Sequence, residues 1–176
     1  MKIYIYYLSL ICSIMMFPKE LPNHSPPTIQ AYYQYNLVDY DQIDCLADNI
    51  YFEARAESER GQYAVAEVTM NRVNSGTFPQ NICDVVRQEK NGVCQFSWWC
   101  DPGLKEKSIN KLINDETYQQ IKLIALEIYL LKDEMNVETK GATFYHAKKV
   151  SKKRIGVARL ERTAVIGKHI FYRKNS

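Results

Sequence analysis

The sequence predicts an α+β fold, with helices first and a small antiparallel sheet last. Three observations carry this. Apolar residues recur at helical spacing in the stretches 41–57, 61–76 and 115–132. After Gly141 the pattern changes to short runs rich in β-branched and aromatic residues, at 142–146, 163–166 and 169–172. The last two runs are separated only by Gly167-Lys168, a two-residue connection of the kind that joins antiparallel strands. Helical stretches grouped ahead of strands point to α+β rather than to alternating α/β units.

The chain of 176 residues is long enough for one domain and an N-terminal extension, and 46% hydrophobic residues supply a core. Residues 1–17 hold one lysine and then a nearly unbroken apolar run from Ile3 to Phe17. That run is short for a spanning helix, which needs roughly 20 residues. It reads as an export signal or, if uncleaved, as a membrane anchor, which would be the protein's one link to a membrane. Residues 18–40 hold Pro18, Pro22, Pro26 and Pro27 without a sustained period and read as a linker. The folded domain is expected over 41–176.

The first helix, expected over 41–57, places Ile43, Leu46, Ala47, Ile50 and Ala54 on one stripe. The second places Ala64, Val65, Val68 and Val73 inward and ends at Asn74-Ser75-Gly76. A short helix is expected over 82–88, and a loop over 89–107. The third long helix, over 115–132, buries Ile121, Ile124, Ala125, Ile128 and Leu131.

Five cysteines stand at 12, 45, 83, 94 and 100. With Cys12 inside the export segment, four remain, and an even number behind such a segment favours disulfides. Cys94–Cys100 would close a short loop around Trp98 and Trp99, and Cys45–Cys83 would tie the first helix to the segment after the second. This is one of three possible pairings. The spacing matches no common zinc finger, so no metal and no cofactor are expected.

The charge is uneven. Residues 1–139 carry 12 Lys/Arg against 19 Asp/Glu, whereas residues 140–176 carry 11 against 1. A basic end suits an anionic partner or a solvated surface. Its lysines are not interleaved with a nucleic-acid-reading motif, so no nucleic acid is expected. The 13 tyrosines suit a sugar or peptide cleft, or an ordinary core.

Glu53 is the candidate for chemistry. At about 100° per residue it falls roughly 80° off the centre of the first helix's apolar stripe, beside Leu46. A carboxyl there is partly buried, which disfavours its charged form and suits a general acid.

The segments Ile50-Tyr51-Phe52-Glu53-Ala54-Arg55, Gly61-Gln62-Tyr63-Ala64-Val65-Ala66, Asn71-Arg72-Val73, Cys94-Gln95-Phe96-Ser97-Trp98 and Ile166-Gly167-Lys168-His169-Ile170-Phe171-Tyr172-Arg173 together resemble the SleB/CwlJ-type cell wall hydrolases. The resemblance spans about residues 44–174. It implies a lysozyme-like domain that cleaves peptidoglycan glycan strands as a lytic transglycosylase, and it places the family's catalytic glutamate on Glu53. It further implies an exported, monomeric enzyme of the periplasm or cell envelope. Ala56 stands where the family usually has Gly, which would strain the chain if that position needed φ > 0. Lys152-Lys153-Arg154-Ile155 stands where the family commonly has Pro and Trp, which would alter one wall of the groove.

Around Glu53, the reading assigns substrate binding to Gln95, Ser97 and Trp98, with Trp98 as an aromatic floor, and to Tyr145 and His146 on the first strand. Glu57, Asp84 and Asp101 are the carboxylates from which a second catalytic group could come. Glu57 is given a supporting role, together with Gln62: it would hold Arg55, Gln62 or a loop amide. His169 reads as structural. A transglycosylase needs one carboxyl, whereas a muramidase-type hydrolase needs a second. Two rival readings are a non-catalytic peptidoglycan-binding protein and a metal-dependent wall amidase. The latter has few ligands to draw on, since only three histidines exist and His24 lies in the linker.

Overall fold

Helix α1 (Tyr40–Ala54) is the element on which the other helices pack. In this computed structural model, residues 38–104, 112–131, 138–150 and 159–175 are described. The expectations for residues 1–37 and for Lys152-Lys153-Arg154-Ile155 lie outside them. Asp39 caps α1, its side chain accepting from the amides of Asp41 and Gln42. The expected stripe is buried: Ile43, Leu46, Ala47, Ile50 and Ala54 are all inaccessible to solvent or nearly so.

Helix α2 (Glu59–Asn74), the short α3 (Ile82–Val86) and α4 (Glu116–Leu130) enclose that stripe. They contribute Val65 and Val68, Val85 and Val86, and Ile121, Ala125 and Ile128. A buried side chain of this kind contributes about 1.5–3 kcal/mol. The exposed Asp44–Lys122 pair between α1 and α4, at 2.6 Å, belongs to a class worth about 0–1 kcal/mol, so apolar packing sets this interface. Cys45 and Cys83 are joined, tying α1 to α3, and Cys94 and Cys100 are joined across the loop that holds the tryptophans.

Two expectations about the helices are corrected. Leu131 is 41% exposed, because α4 ends at Leu130 and the next residue leaves the buried stripe. The stretch expected as a loop after α3 contains a two-residue ladder, β1 (Glu89–Lys90) with β2 (Val93–Cys94), and a 3-10 turn, Ser97–Cys100. Asn91 and Gly92, both at positive φ, make the reversal between the two short strands.

The C-terminal sheet is antiparallel, in the order β3 (Phe144–Ala147), β5 (His169–Lys174), β4 (Leu160–Ile166). Tyr145 pairs with Phe171 and Ala164 pairs with the same residue from the other side. This inner row packs on α2 through Ala64, Val68, Ala142, Ile166 and Phe171. The sheet is thereby fastened beside the C-terminal end of α1.

Candidate active site

Glu53 stands in the last turn of α1, where the helix carries its partial negative charge. Tyr145 reaches it from β3, and the tyrosine hydroxyl donates to Glu53 Oε2 at 3.1 Å. Burial pushes the Glu53 carboxyl above the ordinary glutamate range, opposed by the Tyr145 hydrogen bond and by the positive charge of Arg72. Burial likewise raises the Tyr145 hydroxyl well above a free phenol, so it is a donor at any working pH. The pair is a protonatable acid with a permanent hydrogen-bond donor beside it.

Arg72 lies on the inward side of α2 and is 4% exposed. Its Nε donates to the carbonyl of Thr143 at 2.8 Å. Its guanidinium lies over the rings of Phe96, Phe78 and Phe144, at 4.9, 5.1 and 6.0 Å from their centroids. Sequence reasoning gave Arg72 no role. The signal was present: four residues after Val68, it puts a charge on the apolar stripe of α2.

The Cys94–Cys100 loop alternates. Gln95 and Ser97 are exposed, whereas Phe96 and Trp98 are buried. Trp98 is 4% exposed and its Nε1 donates to Asn49 Oδ1 at 3.0 Å. Its ring stacks on Phe52, centroids 4.6 Å apart and planes 20° apart. The floor expected of Trp98 is therefore corrected: its indole backs α1 from within. Asn49, fully buried, also donates to Thr69 Oγ1 at 3.2 Å, so one amide joins α1, α2 and the loop. Phe52 is half-buried next to Glu53.

Tyr145 and His146 cannot both face Glu53, because neighbours on a strand point to opposite faces. His146 is 7% exposed, its Nε2 is 2.9 Å from the Tyr172 hydroxyl and its ring stacks on Tyr172. His146 is thus a structural histidine, and the binding role expected of it is corrected. His169 is also buried, its ring edge-on to Tyr145 at 5.2 Å, and burial lowers its affinity for a proton.

Glu57 does hold a loop amide. Its Oε2 accepts from the amide of Lys168 at 2.8 Å, and its Oε1 lies 3.5 Å from the Lys168 ammonium. The glycines at 61 and 167 make room: a Cβ on Gly61 would lie 2.8 Å from Glu57 Cβ, and one on Gly167 would lie 2.1 Å from Glu57 Oε2. Neither Arg55 nor Gln62 is its partner. Gln62 is buried and lines a shallow cleft with Tyr63, Gln120 and Ile124. Ala56 has an ordinary negative φ, so the Gly-to-Ala departure carries no strain there.

The other two carboxylates are engaged locally. Asp84 accepts from the side-chain amide of Asn81 at 2.6 Å and lines an acidic cleft of about 450 Å³ with Asp41, Asp44, Asp48 and Arg87. Asp101 Oδ1 accepts from the amides of Gly103 and Leu104, closing a turn.

Several known proteins are similar to this chain over part or most of its length. The chain is 35% identical over 69 residues to a spore cortex-lytic enzyme of Oceanobacillus iheyensis, a match covering 38% of this chain and 25% of that protein. It is 44% identical over 46 residues to that of Bacillus subtilis, covering 26% of this chain and 15% of that protein. The matches thus span a quarter or less of these relatives' own length. Among solved structures, the catalytic domain of the germination-specific lytic transglycosylase SleB from Bacillus anthracis superposes with a TM-score of 0.54 at 27% identity, covering 78% of this chain and 98% of that one. The catalytic domain of Bacillus cereus SleB gives the same score and identity, covering 94% of that chain. The α+β order of helices and terminal sheet is therefore that of the SleB catalytic domain. The cell wall hydrolase family model matches residues 56–172, beginning three residues after Glu53 and taking in α2, the tryptophan loop, α4 and all of the sheet but the last two residues of β5. With two-thirds of the chain so matched, the protein belongs to the cell wall hydrolase family.

Proposed function

We propose that this protein is a lytic transglycosylase that cuts the glycan strands of peptidoglycan, with Glu53 as its only acid and base. The observation that supports this most directly is the Glu53–Tyr145 pair: a carboxyl made weakly acidic by burial and held by a hydroxyl donor. Protonated Glu53 gives its proton to the glycosidic oxygen as the bond from the anomeric carbon to that oxygen breaks. The sugar's own 6-hydroxyl then attacks the anomeric carbon and passes its proton to the Glu53 carboxylate. The carboxyl is restored, and the product ends in a 1,6-anhydro ring.

A hydrolase of either stereochemistry would need a second carboxylate. Glu57, Asp84 and Asp101 are the sequence's candidates, and each is committed elsewhere, to Lys168, to Asn81 and to a turn. That favours the single-carboxyl route. The two solved relatives named above are SleB catalytic domains, that of Bacillus anthracis being from a germination-specific lytic transglycosylase, which supports the same reading. Gln95 and Ser97, exposed on a loop whose buried residues touch Phe52 and Arg72, are proposed to bind the glycan along with Phe52. Two disulfides fit a site of action outside the cytoplasm, with residues 1–17 as signal or anchor and the linker that follows ending by residue 38, since Asp39 already caps α1 and Tyr40 opens it.

The test is digestion of purified sacculi followed by mass spectrometry of the products. Anhydro-muramyl ends are expected, and new reducing ends would overturn the transglycosylase assignment. Glu53→Gln should lower product release by roughly 10²–10⁴-fold. Release at the wild-type rate by that variant would remove Glu53 from the chemistry.

A further inference from the structure

A single-carboxyl cycle creates an electrostatic problem that the structure addresses. Once Glu53 has given up its proton it is an anion in a half-dry position at the negative end of a helix. It must survive long enough to take the proton of the 6-hydroxyl. A cation in direct contact would solve this badly, because it would hold Glu53 ionised and remove the acid from the resting enzyme. Among the described residues, Glu53 has no ion-pair partner, and its one hydrogen bond comes from the neutral Tyr145 hydroxyl.

Arg72 is the buried cation whose charge acts on both Glu53 and Tyr145. Several features hold it in place. Nε is bound to the Thr143 carbonyl at 2.8 Å, two residues before Tyr145. Phe96 and Phe78 lie under the guanidinium at 4.9 and 5.1 Å, and Phe144 at 6.0 Å. Nη1 is buried without a hydrogen-bond partner among the described residues. A buried guanidinium that leaves a donor unpaired gives up free energy that a better-placed carboxylate would return. Its aromatic surround instead keeps it present and charged, since cation–π contact stabilises the charge without neutralising it.

From this, and resting on the transglycosylase reading above, we infer that Arg72 is a positioning residue for the reaction: a fixed counter-cation, held in place by three phenylalanine rings and the Thr143 carbonyl and making no ion pair with Glu53 among the described residues, that stabilises the carboxylate formed halfway through the cycle. The groups that act on Glu53 are Tyr145 from β3 and Arg72 from α2. His169 from β5 reaches only the Tyr145 ring, and Glu57 is engaged by Lys168.

The experiment is the pH profile of muropeptide release for wild type, Arg72→Lys and Arg72→Met, with folding checked by circular dichroism. Release requires protonated Glu53, so it falls on the alkaline side as Glu53 ionises. Removing the cation in Arg72→Met raises the pH of that fall, by about one unit or more, and lowers the maximal rate at least tenfold. Arg72→Lys keeps the charge and should return the fall to within a few tenths of a unit of wild type. An alkaline limb in Arg72→Met that coincides with wild type, however slow the enzyme, means a merely structural arginine and overturns the inference. If Arg72→Met does not fold, Arg72→Gln takes its place: a limb raised as expected for Arg72→Met supports the counter-cation, and an unmoved limb overturns it. Glu53→Gln separates the two levels. Wild-type release by Glu53→Gln sinks the parent reading. An inactive Glu53→Gln beside an unmoved Arg72→Met limb sinks the Arg72 role alone.

Discussion

The hydroxyl of Tyr145 donates a 3.1 Å hydrogen bond to Oε2 of Glu53, a residue 92 positions earlier in the chain. Tyr145→Phe removes that donor while leaving the ring against His169 and Phe171. A hydrogen bond to a charged group is worth about 1.5–3 kcal/mol, so muropeptide release should fall roughly 10- to 100-fold. The bond favours the carboxylate, so its loss also moves the alkaline decline of activity to higher pH. A Tyr145→Phe enzyme with wild-type rate and profile would show that the hydroxyl plays no part.

Gly167 and Gly76 both have positive φ, at +53° and +67°, but only Gly167 is crowded. Nothing lies within 4 Å of a Cβ placed on Gly76, so Gly76→Ala carries only the left-handed backbone cost, about 1–2 kcal/mol. Gly167→Ala would drive its methyl into Glu57 Oε2 and break the bond to the Lys168 amide. Its cost should exceed that of Gly76→Ala by at least 2 kcal/mol in urea unfolding. Equal midpoints for the two variants would show that the Glu57 latch contributes nothing.

The two disulfides should contribute unequally. Cys45–Cys83 closes a separation of 38 residues and Cys94–Cys100 one of 6. Chain entropy then gives about 4 and about 2 kcal/mol. The paired alanine variant at 45 and 83 should melt well below the one at 94 and 100. The second pair should instead lose activity, because its loop carries the Trp98 ring that backs Phe52 and the Phe96 ring under Arg72.

Asp48 links pH to stability. Burial pushes its carboxyl up to about 6, against which the Tyr118 hydroxyl, donating at 2.9 Å, acts only in part. A folded-state value above the unfolded one means that the native protein binds the extra proton. Stability contributed by that proton is full below about pH 4 and is lost as pH rises through about 6. Asp48→Asn keeps an acceptor for Tyr118 and removes the titration. Thermal unfolding at pH 7.5 should therefore show the variant more stable, by about 2 kcal/mol, and the gain should vanish near pH 4. A gain of the same size at both values would trace it to something other than ionisation.

Much of the fold could be read from spacing. The α1 stripe of Leu46, Ile50 and Ala54 is regular, and Gly167-Lys168 marks the hairpin without ambiguity. The expected C-terminal end of helix α4 runs two residues too far, because Leu131 continues the apolar pattern after the backbone has left the helix. The site was read less well, and for a physical reason. The family resemblance sets the tryptophan loop beside the glutamate but does not say which way the Trp98 ring turns. The clue to Trp98 was alternation: in Gln95-Phe96-Ser97-Trp98 the polar pair faces out and the aromatic pair faces in. The same alternation separates Tyr145 from His146. Arg72 and Asn49 were missed because polar side chains on an apolar stripe read as breaks in a pattern. Here Asn49 ties α1 to α2 and to the loop, and Arg72 ties α2 to the loop and to the residues leading into β3.

The grip of Glu57 on the Lys168 amide spans 111 residues, and it secures the turn immediately after Glu53. An unfinished polypeptide has neither this grip nor the strand bearing Tyr145. The pairing of Glu53 with Tyr145 and the grip of Glu57 on Lys168 therefore both come into being only once the C-terminal strands are in place.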